Sequence, residues 1–256
     1  MTSLKKNFIY NVVYQMLLII LPLITAPYIA RTLGAEGVGI YSYTYSVAQY
    51  FLLFAMLGIS NHGNRSIAAV REDDCKLSRT FWSIYSIQAF MYVLAIIAYL
   101  IYLFAFNVDN KTIVAIQFIY VVSGALDISW YFFGTEQFKI TVTRNMIIKI
   151  ATVILMFIFV HNPGDLAKYT VIMAGGTFLS QAYLWTYIFR QVDVVKVNWI
   201  DIKKHIKEVI ILFIPVIAYS IYKLMDKIML GNMTTYMQVG YYENAGKIIN
   251  IPMGII

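Results

Sequence analysis

Seven runs of about twenty apolar residues follow one another along this chain, and an eighth begins near its end. No other feature limits so strongly what the chain can fold into. The runs are Phe8–Ala30, Val38–Ile59, Phe81–Phe106, Thr112–Phe133, Thr141–Val160, Tyr169–Phe189 and Val209–Met229, with the eighth starting near Val239. A helix of roughly 20 residues crosses a hydrocarbon core of roughly 30 Å. The expected fold is therefore all-α, a polytopic transmembrane helix bundle. Pro22, Pro27, Pro215 and Pro252 fall inside these runs, where membrane helices tolerate proline better than soluble ones do.

Composition supports the same class. Hydrophobic residues make up 60% of the 256 and charged residues only 13%, too little polar material to coat a soluble globule of this size. Mean hydropathy is +0.69. The net charge of +7 does not signal nucleic acid, because the basic residues form neither a block nor a stripe. Lys5 and Lys6 resemble the start of a secretory signal, but Phe8–Ala30 is far longer than a signal core of roughly 7–15 residues. Cys75 is the only cysteine, so no intrachain disulfide can form.

Basic residues gather in alternate gaps between the runs. One set of gaps carries Lys5, Lys6, Arg65, Arg71, Lys76, Arg79, Lys139, Arg144, Arg190, Lys196, Lys203, Lys204 and Lys207; the other carries Arg31, Lys111 and Lys168. The positive-inside rule then places the N-terminus in the cytoplasm of a multi-pass cell-membrane protein. The eighth run ends at Ile256 with no polar tail, which suggests a piece of a longer chain.

The first and seventh runs share a pattern. "LPLITAPYIARTLGAEGVGIYSYTYSVAQYF" and "IPVIAYSIYKLMDKIMLGNMTTYMQVGYYENAGKIINIP" each place a proline early, then Leu-Gly at the outer end (Leu33-Gly34, Leu230-Gly231). Each restarts with glycine and an aromatic residue, Gly39-Ile40-Tyr41 and Gly240-Tyr241-Tyr242, the second gap being four residues longer. Both runs point the same way, as in a parallel repeat of two lobes with a substrate site between them. On this reading residues 1–190 form an N-terminal six-helix lobe, 191–208 a cytoplasmic connection, and 209–256 the first one or two helices of an incomplete second lobe.

Four segments carry a resemblance. They are Arg31-Thr-Leu-Gly with Gly37-Val-Gly-Ile-Tyr; "GISNHGNRSIA" from Gly58; "DISWYFFGTEQF" from Asp127 with Arg144-Asn145; and "DKIMLG" from Asp226 with "VGYYENAGKI". Together they resemble the Wzx-type polysaccharide repeat-unit flippases of the multidrug/oligosaccharidyl-lipid/polysaccharide exporter superfamily. The resemblance implies a bacterial exporter fold of two six-helix lobes. It also implies alternating-access transport of an undecaprenyl-diphosphate-linked oligosaccharide, with a polysaccharide polymerase and other assembly proteins as partners, and no enzymatic chemistry or cofactor. A multidrug or cation exporter on the same fold and a membrane-embedded sugar transferase stay open as alternatives.

Several charged residues are expected to matter. Charge inside a membrane helix is expensive and normally meets a partner or a wet cavity. Arg31, Lys223 and Lys227 are read as a cationic, substrate-binding cavity, since a guanidinium can grip phosphate bidentately. Lys223 and Lys227 are four apart on one helical face, and Asp226 cannot neutralise both. Asp127 and Asp226 are candidates for ion binding or for pairing, Asp127 with Lys149. Arg65 and Glu136 mark cytoplasmic helix ends within the resemblance segments. Glu243 and Lys247, four apart, are expected only to satisfy each other. Trp130, Tyr131, Phe132 and Phe133 read as an interfacial aromatic belt.

Other patterns fail on geometry. Gly34, Gly37 and Gly39 lack the strand that a dinucleotide fingerprint requires. His62 and His205 fall on one side of the membrane and His161 on the other, so they form no common metal site. Glu72-Asp73-Asp74 reads as a solvated cluster beside Arg71 and Lys76 rather than a divalent-ion site. No metal site is expected.

Overall fold

The computed structural model describes the backbone of residues 2–253 and the side chains of residues 20–221 and 224–249. Among these residues the fold is all helix: α1 (Thr2–Met56), α2 (Ile59–Val70), α3 (Asp74–Ala105), α4 (Lys111–Ala125), α5 (Ser129–Gly134), α6 (Phe138–Phe159), α7 (Leu166–Ile188), α8 (Trp199–Met233) and α9 (Tyr236–Met253), with a single 3-10 turn at Pro163–Asp165. The chain is a multi-pass helical membrane bundle. One end of it carries Arg65, Arg71, Lys139 and Arg190 and is called the basic end; the opposite end carries the connections near residues 34, 108, 163 and 234.

Among the described residues the expected runs lie largely in helices, but not all are apolar throughout. By length and composition α3, the α4–α5 pair and α6 can each cross a membrane, and α8 makes a fourth if its two limbs, bent by 44° between Ile221 and Leu224, count as one span. Some of the others carry polar residues with a structural use. Helix α7, for example, turns Gly176, Thr177, Ser180 and Gln181 toward an internal cavity.

Helix α1 breaks at Gly34, where φ is 71° and ψ 172°. A β-carbon disfavours that region, so glycine fits it. The break joins the first two runs, as the sequence predicts. In the second copy of the pattern the helix instead runs through Gly231 and ends at Met233, and the turn falls at Thr234. Gly231 has a packing role there: a side chain would strike the ring of Tyr43.

The fourth run is broken as well. Carbonyls freed at residues 124–127 need partners that hydrocarbon cannot supply. Gln88 of α3, fully buried, donates to Asp127 O at 2.8 Å and to Gly124 O at 3.3 Å, while Trp185 of α7 donates to Leu126 O at 3.0 Å. The side-chain oxygen of Gln88 in turn accepts from the Trp130 indole at 3.0 Å.

That bond corrects the expected aromatic belt. Trp130, Tyr131 and Phe132 are buried in a cluster with Phe81, Ile59, Ile67 and Leu184, and only Phe133 is exposed. Composition alone cannot separate a lipid-facing aromatic from a core one, and the break at residues 126–128 turns α5 inward onto α2. Helix α2 is amphipathic: Ile59, His62, Gly63 and Ile67 are buried on one face, and Asn64, Arg65 and Ala68 are exposed on the other.

Candidate functional site

An internal cavity of roughly 800 Å³ lies among α1, α4, α6, α7, α8 and α9. It runs from Tyr41 and Tyr169 near the opposite end down to Ser60 and Asn61 at the basic end. Its wall is mixed, with three chemically distinct zones.

Toward the opposite end the wall is tyrosine. The hydroxyls of Tyr41 and Tyr120 lie 3.0 Å apart. Tyr41 stacks on Tyr45 at 5.7 Å and meets Tyr169 edge-on at 4.8 Å, and Tyr45 meets Tyr120 at 4.9 Å. Such rings offer an apolar face and a hydrogen-bonding tip to one ligand. Tyr41 and Tyr45 share a face of α1 because they are four residues apart.

Beside them, α8 and α9 supply charge. Lys227 Nζ lies 2.6 Å from Glu243 Oε2, and Lys247 Nζ lies 3.6 Å from Glu243 Oε1. The i,i+4 pair expected between Glu243 and Lys247 is present, but Lys227 makes the shorter contact across helices. Across the cavity Lys149 of α6 also lines the wall, with no carboxylate in ion-pairing range among the described residues.

Toward the basic end the wall is amide-rich. Arg144 is buried, at 5% exposure. It donates to Asn145 Oδ1 at 2.8 Å, to Gln181 Oε1 at 3.1 Å and to the Ser180 carbonyl at 3.1 Å, tying α6 to α7. The sequence reads Arg144 as a loop charge; the Arg-Asn pair within a resemblance segment is the signal that marks it. Asp127 lies nearby, its Oδ1 accepting from the Ser129 backbone N–H at 3.0 Å.

The expected site residues are therefore dispersed. Lys227 and Asp127 line the cavity, but no ion pair joins Asp127 to Lys149. Lys223 lies outside the described side chains. Arg31 is exposed beside the Gly34 break and is absent from the cavity wall. Asp226 is exposed and accepts from the Tyr242 hydroxyl at 2.7 Å. Adjacent residues on a helix point about 100° apart, so Asp226 cannot follow Lys227 into the cavity. Arg65 is exposed on α2, and Glu136 pairs with Arg71 at the basic end. Asp73 caps α3, accepting from Lys76 N–H at 3.0 Å. Among the described residues no group of three or more His, Cys, Asp or Glu side chains could hold a metal ion.

Two contacts join helices at the two ends of the bundle. At the basic end His62 of α2 and His205 of α8 lie 2.8 Å apart, His205 standing before the apolar run that starts at Val209. Burial holds both imidazoles below the usual histidine range; His205, which also faces His62 and Lys204, is pushed down to about 4. At the opposite end α1 and α9 meet backbone to backbone. A β-carbon at Gly39 would overlap the Tyr236 carbonyl, and one at Gly240 would overlap the Ala35 carbonyl. Ala35 precedes Gly39 by four residues, as Tyr236 precedes Gly240. The contact is thus self-complementary: each copy of the repeated pattern presents its glycine to the other copy's preceding turn. Tyr43 adds a hydrogen bond to Asn232 at 2.8 Å.

The family described as "Polysaccharide biosynthesis protein" matches residues 4–256. The chain is 27% identical, over 268 aligned residues, to a protein of Escherichia coli (strain K12) named "Putative O-antigen transporter". The alignment takes in 99% of this chain and 62% of that relative, so the chain spans less than two thirds of the relative's length. No solved structure matches it.

Proposed function

This chain belongs to the polysaccharide biosynthesis protein family, and from that premise we propose that it is a flippase. It moves lipid-diphosphate-linked oligosaccharide repeat units from the cytoplasmic to the outer leaflet of a bacterial cell membrane, for surface polysaccharide assembly. The observation that carries this reading is the cavity, where a tyrosine wall suited to sugars adjoins Lys227 and Lys247, which are paired to one glutamate and suited to a diphosphate. The name of the E. coli relative supports a transporter rather than an enzyme. A polysaccharide polymerase and other assembly proteins follow as partners of that role.

Alternating access is part of the proposal. With the basic end in the cytoplasm, the cavity faces inward and the Gly39–Gly240 contact is its outer seal. Residues 1–190 act as one lobe and 209–256 as the beginning of its counterpart. A cation exporter would need uncompensated carboxylates, whereas Glu243 is held by two lysines and Asp127 by a backbone N–H.

The test is Lys227→Ala in cells whose surface polysaccharide depends on this protein. Membrane insertion is expected to survive while surface polysaccharide stops and the lipid-linked repeat unit accumulates inside. Normal polysaccharide would remove the cationic site from the reading. Sugar transfer catalysed by the purified protein would replace the reading altogether.

A further inference from the structure

We propose that Glu243 is the resident counter-anion of the cargo's anion site, so that a diphosphate and a proton bind to the cavity together. This inference rests on the flippase reading above. Its starting point is the arrangement of three side chains on two helices. Each oxygen of the Glu243 carboxylate faces a different ammonium, Lys227 of α8 at 2.6 Å and Lys247 of α9 at 3.6 Å. All three side chains line the cavity and all are mostly covered, at 21%, 31% and 16% exposure for Lys227, Lys247 and Glu243.

The empty triad carries one net positive charge, which a partly buried site can hold. A sugar-linked lipid diphosphate is a diester with two phosphates, each bearing one negative charge. Its oxygens need the same two ammoniums that Glu243 occupies. With Glu243 ionised, the loaded site would gather three negative charges against two positive ones. With Glu243 protonated it is neutral, and low polarity penalises the unbalanced alternative. The exchange balances: the two N–H···O contacts to Glu243 are replaced by contacts to phosphate oxygens, and the freed carboxylate takes up one proton from the bulk buffer, which is left as its conjugate base outside the site. No bond to phosphorus changes.

The groups around Glu243 leave no other candidate for that proton. Tyr45 of α1 and Tyr169 of α7 are close enough to sense its charge, and both are already protonated as phenols. Lys227 and Lys247, as ammonium ions, have no lone pair to accept a further proton. Asp226, one residue from Lys227, faces Tyr242 outside the cavity. Asp127 is in the amide-rich zone and Lys149 belongs to α6, and neither forms an ion pair with the triad. The i,i+4 spacing of Glu243 and Lys247 suggests a self-contained local pair; the approach of α8 makes the glutamate shared, and so exchangeable.

The experiment is calorimetric binding of a polyprenyl-diphosphate-linked N-acetylglucosamine, a diester that does not titrate near neutrality, to the purified protein in nanodiscs. Buffers of different ionisation enthalpy count the protons taken up. Wild type is expected to take up close to one proton per ligand, with affinity falling by up to about tenfold per pH unit where that uptake is complete. Glu243→Gln is expected to take up none, to bind independently of pH, and to bind at least as tightly as wild type at its acidic optimum. Wild-type binding without proton uptake overturns the inference, and it decides the matter even if Glu243→Gln does not fold. Equal uptake by Glu243→Gln, or loss of its binding, also overturns it, because Glu243 would then only position the lysines. Binding by wild type that Lys227→Gln abolishes keeps the flippase reading in either case. Absence of binding by wild type overturns that reading and this inference with it.

Discussion

The two ends of the bundle are held together by opposite means. At the opposite end α1 and α9 touch through Gly39 and Gly240, with backbone against backbone and few side chains between. At the basic end α2, α3, α5 and α7 interlock through large rings. Phe81 packs on Trp130 at 5.4 Å and on Tyr131 at 5.4 Å, and Tyr85 meets Trp185 at 4.9 Å. The glycine seam is a close backbone fit, flanked by the Tyr43 ring on Tyr236 and Gly231 and by one side-chain hydrogen bond to Asn232. The aromatic cluster is a packed core whose disruption leaves cavities. The seam joins the two copies of the repeated pattern, whereas the aromatic cluster lies almost wholly within the first 190 residues. Under the alternating access proposed above, the part expected to open is the seam.

The largest expected effect is at that seam. Gly240→Leu would force its side chain into the Ala35 carbonyl, so transport should fall at least tenfold while the protein still inserts. An export assay on intact cells measures this, and wild-type transport by Gly240→Leu would remove the seam from the mechanism. Next is the aromatic cluster. Trp130→Ala empties the space beside Gly63 and orphans the Gln88 side-chain oxygen, for a loss of about 3–5 kcal/mol in unfolding free energy. A smaller loss would mean that the two ends are less different than their packing implies.

The histidine contact gives a pH-dependent prediction. Both imidazoles have folded-state pKa values below the unfolded value, so the unfolded chain binds more protons between those values. The His62–His205 contact thus contributes fully above about pH 6.5 and is lost as pH falls toward about 4. Melting temperature should decline over that window in wild type and decline less in His205→Gln; parallel curves would refute the assignment. The smallest effect serves as a control for the first. Gly246 is on α9 with nothing within 4 Å of an added β-carbon. Gly246→Ala should leave transport intact and change stability by no more than about 1 kcal/mol. Orientation is separable from all of these. Cys75 is exposed at the basic end, so an impermeant maleimide should label inside-out vesicles and spare intact cells.

Much of the fold was legible because membrane insertion is nearly local physics. A helix must satisfy its own backbone and match a fixed thickness, so the helices could be read from the apolar runs, and the Gly34 break from its glycine. The break at residues 126–128 was hidden, because Gln88 and Trp185, which satisfy its carbonyls, come from other helices. Arg31 and Lys223 drew notice as charges near or within runs, yet Arg31 lies away from the cavity. Glu243 was passed over for having a local partner in Lys247. The pairing of Gly39 with Gly240 appeared in the sequence only as similarity, with nothing to say that the similar parts touch.

By itself the sequence determined that this chain is a helical membrane bundle, where its apolar runs lie and which end is basic. Those properties follow from hydropathy, length and charge counted along the chain. Tertiary structure alone decided which polar residues share a cavity, that Lys227 answers to Glu243 rather than Asp226, and that the repeated glycines form a seam. Each of these depends on the rotation and approach of helices distant in sequence. Hydrophobicity does not set that rotation in a membrane, where lipid is as apolar as any side chain; close packing and buried hydrogen bonds do.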